Sequence, residues 1–323
     1  MNYHHKSDID EDQTIDASKL NDSLVLCVNR IRAAFSNLCK THDETFCQIL
    51  DEIFTSFLAT HKSIRLLLKE SYKDQDYAPD AKSLTREQIE KVFVLTLILD
   101  DPSKWIPIYF KDDWRRLYKF LYLTEAEERS KLLRYASWQD ELSQMLEKMR
   151  ANSFVSDQEK ELIEHKFKNP GNSKPAHLAG VEIPMFPMPR DVINKLSDPH
   201  KKSALLRWHK ENEYLCGYSH VGLDKFSLSS VRKTKLTDKD KKEFFEIELL
   251  FSTFYVSCIA GASICTEAWR YISRFDPDLS KSADFLKAIF DYWAILSSSS
   301  LKGKLFWDIH ASHVFPPLVG NSD

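Results

Sequence analysis

A chain of 323 residues with 45 basic and 48 acidic side chains and a formal net charge of -3 has room for one large or two ordinary domains. Its charge balance sets up no field that would draw nucleic acid or anionic lipid onto the whole molecule. Glycine numbers only 7, far below the roughly 7% of an average protein, while Leu, Lys, Glu, Phe and Ala are plentiful; turns are therefore few, helices long, and the expected fold all-α, a multi-helix bundle.

The N-terminus runs from His4, His5 and Lys6 into Asp8, Asp10, Glu11, Asp12 and Asp16. It lacks the apolar run of a secretory signal and cannot bury apolar area, so residues 1–17 read as a disordered acidic tail. Leu20, Leu24, Cys27, Val28, Ile31, Phe35 and Leu38 then recur at spacings of three and four, as do Phe46, Leu50, Ile53, Phe57, His61, Ile64 and Leu68. These stripes predict an N-terminal helical hairpin hinged near His42 and Asp43, with His61 a hydrogen-bonded core histidine. Residues 77–84 read as a loop ahead of a helix capped by Thr85, carrying Arg86, Glu87 and Glu90 in its first turns and ending at Asp101-Pro102. A further helix holds Trp105 to Leu123, with Asp112, Asp113, Arg115 and Arg116 expected on a solvated face. Helices near 124–150 and 156–168 follow.

Between Asn169 and Pro189 stand Pro170, Pro175, Pro184 and Pro187 with Gly171 and Gly180, which forbid a regular helix. The sequence thus divides into an N-terminal helical region at 18–168, a Pro-rich connecting loop at 169–188 and a C-terminal helical region at 189–323. Helices are expected near 189–197, 200–219, 237–275 and 281–313. Residues 249–266 carry no charge, yet Ser252, Thr253, Ser257, Ser263 and Thr266 dilute their hydrophobicity. The stretch reads as a long buried helix and not a membrane span, with Ser257 and Gly261 letting a neighbouring helix approach closely.

Six cysteines, Cys27, Cys39, Cys47, Cys216, Cys258 and Cys265, form no CxxC pair, which suggests neither a zinc ribbon nor a disulfide framework and points to reduced thiols in a cytoplasmic protein. No GxSxG, GxxxxGK[ST] or GxGxxG motif occurs, so nucleotide-binding enzymes of those types are excluded and no cofactor is expected. Residues 207–220 concentrate reactive side chains: at 100° per residue, His209, Glu213, Cys216 and His220 fall within an arc of roughly 60°. His209, Glu213 and His220 are the metal-ligand candidates, although one straight helix rarely supplies so many ligands. Asp308, His310 and His313 offer a weaker histidine pair at i, i+3, without the HExxH pattern.

Arg86-Glu-Gln-Ile-Glu90 on an early helix and Tyr218-Ser-His220 at the end of a later one resemble an uncharacterised family of bacterial all-helical proteins. That family is loosely similar to HEPN domains, helical bundles of nucleotide- and RNA-directed defence or toxin systems. The resemblance implies catalytic roles for Arg86, Glu90, Ser219 and His220. HEPN ribonucleases carry an Arg followed by His after four to six residues; no histidine of this chain has an Arg five to seven positions upstream, a departure that argues against ribonuclease activity. Two expectations remain: a helical interaction or scaffold protein, of a bacterial defence or stress context, with a protein partner or self-association; and a HEPN-like enzyme acting on nucleic acid or nucleotides. A metal-binding helical protein is a third.

Overall fold

The computed structural model describes residues 17–38, 44–71, 77–127, 144, 147, 155–219, 253–275, 283–299 and 301–312. Among them are ten α-helices and no strand, so the chain is all-α. It divides into two compact units, one made of Met1–Asp100 with Pro189–Asp323 and the other of Asp101–Met188. The 18–168 region of the sequence reading therefore falls in both units, parting where one helix ends at Asp100 and the next begins at Pro102.

In the larger unit the two predicted stripes become α1 (Ala17–Leu38) and α2 (Glu44–Ser71), with Leu20, Leu24, Ile31, Phe54 and Phe57 sealed from solvent. The helix α3 (Ala78–Asp100) starts earlier than expected. Residues 78–84 are helical, and Thr85 lies inside the helix, where its hydroxyl donates back to the Ala81 carbonyl at 2.9 Å, the usual use of a mid-helix threonine. After the other unit come α6 (Pro189–Lys195) and α7 (Pro199–Ser219), both packed on α3.

The central element is α8 (Tyr255–Phe275), packed against α1, α3 and the two helices that follow it, α9 (Ala283–Ser299) and α10 (Leu301–Phe306). Every residue from 253 to 268 is buried. An all-round apolar helix is stable in such a position because neighbours cover each face. Two of its polar groups pair with α9: Trp293 Nε1 donates to Thr266 Oγ1 at 2.9 Å, and the Tyr292 hydroxyl donates to the Cys258 carbonyl at 3.1 Å. Gly261 permits the closest approach, since a Cβ there would stand 2.3 Å from Leu24 Cδ1 and 3.2 Å from Phe57 Cε1. Residues 237–252 lie outside the described residues. Of the helix expected at 281–313, α9 and α10 are α-helical and Trp307–Ala311 forms a π-helical turn, with residues 281, 282, 300 and 313 outside the described residues.

The smaller unit holds α4 (Pro102–Glu127) and α5 (Asp157–Lys168), which share a core of Trp114 and Tyr118, stacked within α4 with ring centroids 4.7 Å apart, and of Val155 and Ile163. Asp112 is 3% exposed instead of solvated, held between Arg115 and Arg116. Ser156 opens α5 with a reciprocal capping box to Glu159, as the sequence S-x-x-E encodes. Burial pushes the Glu159 carboxyl up, but the Lys111 ammonium 2.7 Å away and the hydrogen bonds of Ser156 outweigh it and hold the group below the ordinary range. The Pro-rich stretch has no α-helix beyond a short 3-10 turn at Ala176–Leu178; Leu178 and Phe186 tie it down. Gly171 takes a φ of 93°, a conformation that suits glycine.

Candidate functional site

Lys201, at the start of α7, donates to Asp100, at the end of α3, at 2.8 Å. Because α7 packs along α3 from that point, the two helices run antiparallel. At 1.5 Å rise per residue, Arg86, in the middle of α3, comes level with about Leu215 of α7, and Glu90 with about Glu211, one to two turns short of Ser219. The Arg86 guanidinium bonds Glu90 Oε1 at 3.1 Å across one helical turn, and both side chains are partly exposed, at 32% and 41%. The helix continues to Ser219, past the Gly217 end expected from sequence. The Ser219 side chain, His220 and His313 lie outside the described residues.

The metal candidates do not converge in the part that is described. His209 Nε2 stands 3.4 Å from Glu213 Oε1, a surface pair whose carboxylate is 67% exposed. Among the described residues no group of three His, Cys, Asp or Glu side chains is placed to hold a metal ion. Asp308 is exposed while His310 is buried, so these two point to different surroundings.

A second constellation, at the other end of the α3–α7 pair, was not legible as a set. Lys201 (2% exposed), Glu267 (1%) and His310 (1%) meet with Arg270 and Asp100. Arg270 reaches Glu267 Oε1 at 2.8 Å and the His310 carbonyl at 3.3 Å, while His310 Nε2 lies 3.5 Å from the same carboxylate oxygen. Burial pushes the His310 imidazole down to about 4; Glu267 and the Ser263 backbone pull the other way, and the Arg270 and Lys201 cations add to the lowering. Buried charges persist only when paired, and here two cations and two carboxylates compensate one another around a neutral imidazole. The signal in the sequence was weak: Glu267 and Arg270 one turn apart at the end of an apolar helix.

The histidine expected in the core of α2 is there. His61 Nδ1 and Ser257 Oγ share a 2.6 Å hydrogen bond, and burial, with Arg65 adding, pushes the imidazole down to about 4. Three thiols are equally removed from solvent chemistry, since burial raises Cys27 and Cys258 to about 12 and Cys265 well above the ordinary thiol value. One expectation is corrected: Cys47 is disulfide-bonded, whereas Cys27, Cys216, Cys258 and Cys265 are free. On the α1–α2 hairpin a crevice of about 430 Å³ is lined by Arg32, Phe35, Cys47, Asp51 and Phe54 among others, with Arg32 and Asp51 paired at 2.7 Å.

No protein-family model, no curated protein and no solved structure matches the chain. Among the described residues no helix is long and apolar enough to cross a membrane.

Proposed function

We propose that the protein acts by binding, as a helical interaction or scaffold protein, and not by chemistry on a small substrate. The observation that carries this reading is the fate of the reactive side chains in the larger unit. General acid–base and thiolate chemistry require a group that a substrate can reach and whose pKa lies near the working pH. His61 and His310 are instead sealed as neutral imidazoles, and Cys27, Cys258 and Cys265 as thiols. Among the described residues of the larger unit, these five groups are buried in the helical core, while His209 and Cys216 stay partly exposed. The test is cross-linking and co-purification of the full chain, with light scattering for self-association. A stoichiometric partner or a concentration-dependent oligomer is the expected result. A monomer without a partner that turns over nucleotides or RNA overturns it.

A second reading, a HEPN-like enzyme acting on nucleic acid or nucleotides, is favoured by one geometric fact. The antiparallel register of α3 and α7 sets the Arg86–Glu90 turn, in the middle of α3, alongside the second half of α7, one to two turns short of Ser219. A guanidinium held by a neighbouring carboxylate and still partly exposed suits a phosphate, and the family resemblance rests on the same positions, with Ser219 and His220. Assay of nucleotide and RNA hydrolysis by the parent chain, Arg86→Gln and His220→Gln decides it. Turnover abolished in both variants at unchanged thermal stability supports the enzyme, whereas no turnover by the parent removes it.

A further inference from the structure

Residues 183–188, Ile-Pro-Met-Phe-Pro-Met, run straight into Pro189. Each proline fixes its own φ near -65° and pushes the residue before it out of the helical region. Pro184, Pro187 and Pro189 therefore set themselves and Ile183, Phe186 and Met188, leaving Met185 alone unconstrained. The segment is neither helix nor strand, and among the described residues 182–188 enter no backbone–backbone hydrogen bond. Proline chemistry and the absence of backbone partners both suit an extended, polyproline II-like path, whose period is three residues.

Burial follows that period. Ile183 packs against the Trp114–Tyr118 cluster, and Phe186, three residues on, is 8% exposed with its ring edge-on to Tyr109 (5.4 Å) and Trp105 (6.2 Å). Met185 and Met188, also three apart, are 61% and 65% exposed, and Pro184 is exposed beside them. One edge of the strap is nailed to α4; the edges left open carry the Met185 and Met188 thioethers and the Pro184 ring, with the exposed carboxylate of Glu182 three residues before Met185.

We propose that this strap is a preformed ligand for a partner protein with an aromatic-lined groove of the kind that takes proline-rich segments. Such grooves exploit a ligand that is already extended and loses little entropy on docking. The Phe186 anchor supplies that rigidity from within the smaller unit. Exposed methionine adds a polarizable, adaptable apolar surface that packs well on aromatic rings. The proposal rests on the reading of the protein as an interaction protein and names the class of partner.

The test is to titrate the full chain against a panel of isolated SH3, WW and EVH1 domains. Parent, Pro184→Ala/Pro187→Ala and Met185→Ser/Met188→Ser chains are compared, with Phe186 left in place. At least one domain should bind the parent saturably, the proline variant should bind at least tenfold more weakly, and the methionine variant severalfold more weakly, all at the parent's melting temperature. If the proline variant melts lower, the methionine variant, which alters only exposed side chains, carries the comparison. No binding across the panel, or binding indifferent to the substitutions, overturns the strap. A cross-linked partner retained by both variants would leave the interaction reading standing while removing this site from it.

Discussion

His61 and His310 enter the core as neutral imidazoles, so each binds its proton more weakly in the folded state than in the unfolded chain, where the ordinary value is 6.5. Both groups leave stability intact above pH 6.5 and withdraw it as pH falls from 6.5 towards 4, because only the unfolded chain gains a proton in that window. A difference of this size is worth on the order of 2–3 kcal/mol per histidine. Urea midpoints measured between pH 7.5 and 4.5 should fall across that range, and His61→Gln should flatten part of the decline; a parent whose stability is level from 7.5 to 4.5 would contradict the burial of both rings. Glu267 offers a sharper measurement. Replacing it with Gln removes the carboxylate that Arg270 bonds at 2.8 Å and strips Arg270 of that counter-charge in the core, while Lys201 keeps Asp100; the change should cost about 3 kcal/mol in unfolding free energy.

Among elements, α8 depends on a position where nothing but hydrogen fits. Gly261→Ala gains helix propensity of about 1 kcal/mol, yet the added methyl meets Leu24 and Phe57, both fully buried, and overpacking of that kind costs about 1–3 kcal/mol. The expected net outcome is a loss of about 1 kcal/mol by chemical denaturation; a gain would show that Leu24 gives way. In α5 the Ser156–Glu159 capping box predicts that Ser156→Ala costs about 1 kcal/mol. The stripes of α1 and α2 were legible from spacing alone, and so was the span of α5, though not its cap. The start of α3 was not, because Tyr77-Ala-Pro-Asp reads equally as a turn and as a helix opening with a proline in its first positions, and packing against α2 and α7 decides between them.

At the scale of the molecule, the larger unit is discontinuous: α3 ends at Asp100, the chain leaves for residues 101–188, and α6 returns to pack on α3. A chain in which 101–188 are replaced by a flexible linker should therefore keep cooperative unfolding and the helical circular dichroism of the remaining elements. Loss of both would mean that the larger unit needs the smaller one to fold. The sequence marks the second of these junctions through its prolines but places the first inside a helical region, since Asp101-Pro102 looks like any helix stop.

What the sequence by itself determined is everything that depends on local chemistry or one-dimensional period: the all-α class from scarce glycine, the hairpin from its apolar repeats, the buried α8 from its uncharged but hydroxyl-rich run, and the connecting stretch without a regular helix from its prolines. Only the tertiary structure decided which distant side chains meet. Lys201, Asp100, Glu267, Arg270 and His310 lie on four segments far apart in the chain and form one compensated cluster, and Asp112 leaves solvent because its helix is covered. Periodicity says which face of a helix is apolar; it does not say which partner covers it. The pairing of buried charges is settled by that packing, because desolvation penalises every arrangement in which a charge lacks its counterpart.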